Sequence, residues 1–136
     1  MRRNPNLPTI IWALFIMILC GIPGTDIPHI SFLELLSFDK WVHAGVFFVL
    51  TTLAIRGFRL QNKFQLLRNN ASFIAVLLAI SYGGIIEILQ GTIFIERSAD
   101  IYDFIANSFG SILALLFYPK LSKWFPKFNL LLHDRT

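Results

Sequence analysis

Apolar residues in this chain fall into four long runs, separated by short links that carry most of the charge and several of the prolines. The first uncharged stretch extends from Asn4 to Thr25 around LPTIIWALFIMILCG, enough chain to cross a hydrocarbon core of roughly 30 Å as a helix. The second, WVHAGVFFVLTTLAI, is uncharged only between Lys40 and Arg56. It spans if Phe38 and Phe58 are counted in and the flanking basic side chains snorkel. The third runs from about Ala71 to Gln90 and the fourth from about Ile101 to Tyr118. Between the first two, Pro23, Gly24 and Pro28 break any continuing helix, and HISFLELLSF is weakly amphipathic, as a helix lying on the outer surface would be. The pattern therefore predicts an all-α integral membrane bundle of four transmembrane helices, with a short interfacial outer helix between the first and second. It reads as one domain over 1–136, with its core at about 10–118 and a cytoplasmic tail over 119–136. No internal repeat interrupts this.

Composition agrees. The chain has 136 residues, 55% hydrophobic and only 15% charged, and a mean hydropathy of +0.63, too apolar for a soluble domain of this size. A formal charge of +4 would suit nucleic acid if the basic residues formed a patch with interleaved aromatics. They flank apolar runs instead, which argues against that partner. Cys20 is the sole cysteine, so no internal disulfide and no multi-cysteine metal site can form. Arg2 and Arg3 before an apolar run resemble a signal peptide, and Cys20-Gly21 a lipoprotein signal. Leu19 stands where such a signal needs a small residue, so an uncleaved helix is expected.

Charge distribution sets the expected orientation. With both termini inside, ten of the twelve basic residues face the cytoplasm, leaving Lys40 and Arg97 outside. Asp26, Glu34, Asp39, Glu87, Glu96, Asp100 and Asp103 also fall outside, and Asp134 alone falls inside. Trp41, Tyr102, Tyr118 and Trp124 sit where interfacial aromatics belong. The expected location is a bacterial cytoplasmic membrane, crossed several times, with both termini cytoplasmic and membrane lipids as neighbours.

This orientation brings three helix ends to one level. Asp39 and His43, four apart, open the second helix; Glu87 and Gln90, three apart, close the third; Asp100, Asp103, Asn107 and Gly110 follow a 3-4-3 spacing on one face of the fourth. Ionisable groups this close to hydrocarbon need a partner or a water-filled cavity, so the cluster is a candidate site. Gly83, Gly84, Gly110, Ser111 and Ala114 allow close helix packing beneath it.

In sequence order, Asp39-Lys40-x-x-His43, Glu87-x-x-Gln90 and Arg97-x-x-Asp100-x-x-Asp103-x-x-x-Asn107-x-x-Gly110 resemble the VanZ-like family of small bacterial membrane proteins. The resemblance covers roughly residues 10 to 118. The family is named for a protein giving low-level resistance to the glycopeptide teicoplanin. The resemblance implies a fold, a membrane location and a link to the cell envelope, and carries no reaction with it.

Roles for the polar residues stay open at this level. His43, oriented by Asp39, suits a general base, or it bonds across helices. Glu87 is either paired with Arg97 or His43, or kept neutral by burial and so suited to acid catalysis. Asp103 points with Asn107 into the bundle, whereas Asp100 suits the helix N-terminus. Gln90 and Asn107 read as orienting groups. Arg97, outside against the positive-inside tendency, can grip phosphate or pair with Glu87 or Asp103. Lys40 joins it as a candidate contact to an anion.

Three functions follow. An enzyme would act on a lipid-linked cell-wall intermediate with His43, Glu87, Asp39 and Asp103 as its chemistry and Arg97, Lys40, Gln90, Asn107 and Asp100 as its binding groups. A non-catalytic binder would capture the same headgroup or an envelope protein, and the lack of an evident nucleophile favours it slightly. A transporter is disfavoured by the absence of a polar track through the inner halves of the helices. No cofactor is specified. A divalent metal on His43, Glu87 and Asp103 is conceivable but unfavoured, with no ligand-spacing motif behind it.

Overall fold

The computed structural model describes residues 4–23 and 38–124. Among them are five helices and no strand: α1 (Leu7–Gly21), α2 (Phe38–Leu60), the five-residue α3 (Gln65–Asn69), α4 (Ala71–Thr92) and α5 (Ile101–Leu121). Of these, α2, α4 and α5 are long and apolar enough to cross a membrane. Helix α1 is apolar but shorter: its 15 residues rise about 22 Å. Prolines explain why this helix falls short of the uncharged stretch around it. Pro8 fits the first turn, where a missing N–H costs little. At the other end Pro23 biases the residue before it toward extended backbone, and Ile22 stops the helix at φ −63°, ψ 129°. Three long spans and one shorter apolar helix thus stand where four spans were expected. The expected interfacial helix and most of the tail lie outside the described residues.

The bundle is built on α2 and α5, which share its largest interface. Gly110 makes that approach possible, because a Cβ there would come within 2.7 Å of the Ala44 carbonyl carbon. Helix α4 packs against both, with Gly83 facing Phe47 and Asn107 so closely that a Cβ would meet them at 3.2 and 3.3 Å. Helix α1 is fastened by two cross-helix hydrogen bonds. The Trp12 indole N–H donates to the Val46 carbonyl (2.9 Å), and the Tyr82 hydroxyl donates to the Ala13 carbonyl (2.7 Å). Around these bonds Ile16, Phe47, Leu50, Ala79 and Ile86 form one buried cluster.

A second buried cluster, Ala54, Ile55, Ala75 and Tyr118, lies toward the opposite end of the bundle. Tyr118, in the last turn of α5, is turned into the bundle. It is buried at 4% exposure with the Arg59 guanidinium 4.7 Å above its ring, whereas Trp41, Tyr102 and Trp124 are exposed. The turn after α2 is closed by Gln61. Its amide donates to the Phe58 and Phe64 carbonyls and accepts from the Lys63 and Phe64 N–H groups.

Candidate functional site

At the far end from Gln61, the C-termini of α1 and α4 meet the N-termini of α2 and α5. The local reasons are legible. Asp100 caps α5, its Oδ1 accepting the Tyr102 N–H at 2.8 Å, as a short acid at this position commonly does. Glu87, one turn from the end of α4, accepts the Asp100 N–H at 2.9 Å, so α4 directly anchors the start of α5.

Lys40 of α2 bridges to α5. Its ammonium donates to Asp100 Oδ2 at 2.6 Å and to Asp103 Oδ1, and lies 3.6 Å from Asp39 Oδ2. The pairing holds the Asp100 carboxyl below its ordinary value of 3.8, with the Tyr102 N–H adding to the effect. His43, one turn further along α2, is held from both sides. Its Nδ1 lies 3.1 Å from Asn107 Oδ1, and its Nε2 lies 3.7 Å from Asp39 Oδ1 and 3.6 Å from Asp103 Oδ2. Either ring nitrogen can carry the proton, Nδ1 toward Asn107 Oδ1 or Nε2 toward the two carboxylates.

These groups open onto one cavity of about 290 Å³. Asp39, His43, Gln90, Arg97 and Asp103 line its polar side, and Ile16, Leu19, Val42 and Val46 contribute to its apolar side. Arg97 sits on its wall with Nε donating to the Ile22 carbonyl at 3.0 Å, and among the described residues it forms no ion pair. Gln90 is 4% exposed; its amide donates to the Cys20 carbonyl at 3.3 Å, and its Oε1 has no partner among the described residues.

Of the residues singled out from sequence, Asp39, His43, Gln90, Arg97 and Asp103 share this cavity. Glu87 and Asp100 line a neighbouring one of about 440 Å³, with Gly84, Ala99, Ile101 and Phe104. Asn107 is fully buried behind His43, and Lys40 is engaged by the carboxylates. Glu87 pairs with neither Arg97 nor His43: one oxygen serves the Asp100 N–H and Oε1 is buried without a partner. Arg97 likewise pairs with neither Glu87 nor Asp103.

The sequence model of the VanZ/LLP1 family matches residues 7–124, taking in every element described. The chain belongs to the VanZ/LLP1 family. No curated protein and no solved structure matches it.

For this VanZ/LLP1 protein, the contribution hidden in the sequence is that of α1. The Cys20 and Ile22 carbonyls receive Gln90 and Arg97, and Ile16, Leu19 and Ile22 line the cavity. A helix C-terminus always leaves carbonyls without intrahelical partners. Pro23 was the available signal, since by halting α1 it fixes where those carbonyls lie.

Proposed function

We propose that this cavity, facing outward, binds the headgroup of an anionic, lipid-linked component of the cell envelope. One observation carries the reading: a guanidinium that forms no ion pair among the described residues shares a cavity with both polar and apolar walls at the end of a bundle of membrane-spanning length. A guanidinium offers bidentate donors to phosphate, and the apolar wall suits the first part of a lipid chain. The outward direction rests on the positive-inside tendency. Arg56, Arg59, Lys63, Arg68, Lys120 and Lys123 gather at the Gln61 end, with the acidic layer opposite.

Binding is preferred over turnover because His43 and Glu87, the acid–base pair an enzyme would use, line different cavities. Glu87 is instead a positioning residue for the α4–α5 connection. The family's namesake adds an expectation that expression lowers teicoplanin susceptibility. The binding reading itself is tested by native mass spectrometry of the full chain with a lipid-linked pyrophosphate. Adducts should form with the unaltered chain and be lost in Arg97→Ala while that variant stays folded; equal adducts in both would refute the assignment.

A further inference from the structure

The headgroup reading meets an electrostatic difficulty in the carboxylates that share the cavity with Arg97. Asp39, Asp100 and Asp103 set three carboxylates against the single ammonium of Lys40, and Asp39 and Asp103 face the cavity itself. An excess of negative charge beside the space meant for an anion would repel it unless something compensates. The geometry of the same carboxylates supplies a candidate.

One oxygen of Asp39, one oxygen of Asp103 and one imidazole nitrogen of His43 lie within 4.8 Å of one another. The lysine does not occupy this triangle, because each carboxylate turns one oxygen toward Lys40 and the other toward His43 Nε2. Two ligand atoms about 2.1 Å from a common ion in tetrahedral geometry stand about 3.4 Å apart. The nitrogen-to-oxygen separations of 3.6 and 3.7 Å are close to that. Asn107, at His43 Nδ1, supplies the hydrogen bond that metal-binding imidazoles characteristically make through their second nitrogen. An independent observation points the same way. Gln90 is more than nine-tenths buried, lines the same cavity, and has an Oε1 with no hydrogen-bond donor among the described residues. A buried acceptor without a donor costs stability, and a cation or a molecule bound to one would satisfy it.

We infer that Asp39, His43 and Asp103 form a binding site for one divalent cation of hard or borderline character, with Gln90 lining the same cavity. Two carboxylates and one imidazole suit such an ion, Mn2+ or Zn2+ being representative. The ligand set differs from the one considered from sequence, with Asp39 taking the place of Glu87. Its role rests on the headgroup reading: the ion offsets the carboxylates and, with Arg97 in the same cavity, gives a phosphate two positive contacts. The ion's presence does not depend on that reading.

The test separates the two. Mn2+ is titrated into the full chain in phosphatidylcholine nanodiscs and followed by electron paramagnetic resonance. The chain carries His29→Ala and His133→Ala, so that of its three histidines only His43 remains. One Mn2+ per chain with nitrogen coupling from a single imidazole is expected, and Asp103→Asn should weaken binding by more than about tenfold. Lys40→Gln should tighten it by about fivefold, since a competing charge some 4 Å away is removed. No binding, or binding without nitrogen coupling, overturns the site even if a variant fails to fold. Pyrophosphate-lipid capture is then measured with and without chelator. Capture unchanged by chelation would refute the ion's role while leaving the headgroup reading standing. Mn2+ binding without any capture would refute the headgroup reading while leaving the ion site standing.

Discussion

Two buried glutamines at opposite ends of the bundle differ in how fully the fold satisfies them. Gln61 is 7% exposed and Gln90 is 4% exposed. Gln61 spends its whole amide on the chain, two donations and two acceptances that close the turn after α2. Gln90 lines a cavity and makes one donation, to the Cys20 carbonyl, with Oε1 unpartnered among the described residues. Burial is nearly the same, so burial alone is a poor guide to role. What distinguishes them is whether each polar atom is satisfied, since an unmet buried acceptor costs about 1–3 kcal/mol. Orphan atoms also occur at Asn6, Thr9, Thr51 and Thr52, away from the charged cluster, and at Glu87 and Asn107 within it, but of the seven only Gln90 lines the cavity that holds Arg97.

The comparison can be broken most forcefully at the contact that aligns the two halves of the site. Gly110→Val would drive a side chain into the Ala44 backbone, one residue from His43, and part α2 from α5. A loss of about 3 kcal/mol or more is expected, read as a collapse of the thermal transition in detergent together with loss of ligand capture. Next comes Gln61→Ala, which should cost roughly 2 kcal/mol in unfolding assays and leave capture by the folded fraction unchanged. Gln90→Leu should behave oppositely, with stability held or slightly raised and capture reduced about tenfold or more. If Gln90→Leu destabilised as much as Gln61→Ala, the distinction drawn between the two ends would fail.

The smallest effect concerns pH. Lys40 depresses the Asp100 carboxyl below 3.8, so its contribution is full above that value. It declines as pH falls below 3.8 and is gone once pH drops under the depressed folded value. Because the Asp100 side chain is 38% exposed, the pair contributes no more than about 1 kcal/mol. Asp100→Asn should therefore flatten acid unfolding only below pH 3.8, with no difference between pH 5 and 7 by circular dichroism.

Much of this was legible in the chain. The 3-4-3 spacing of Asp100, Asp103, Asn107 and Gly110 and the 4-spacing of Asp39 and His43 put side chains on shared faces, and helix geometry alone then brings them to one level. The three long apolar helices follow from run lengths, and the shortness of α1 from Pro8 and Pro23 at its two ends. Other features carry no letter. Backbone carbonyls at the end of α1 complete the site, yet every residue has a carbonyl. Glu87 and Gln90 are separated by about 60° around α4, which is enough to turn them into different cavities once α5 and α1 are in place. Which carboxylates Lys40 would choose depends on an interhelical distance set by Gly110, and spacing within one helix does not encode that.

The central claim, that the cavity beside Arg97 takes an anionic headgroup, is tested most directly by phosphorus NMR. A lipid-linked pyrophosphate would be titrated against the full chain in phosphatidylcholine nanodiscs. The account predicts that its resonances shift and broaden at one equivalent with the unaltered chain and stay at their free positions with a folded Arg97→Ala variant. Identical spectra for both proteins, shifted or unshifted, would contradict it.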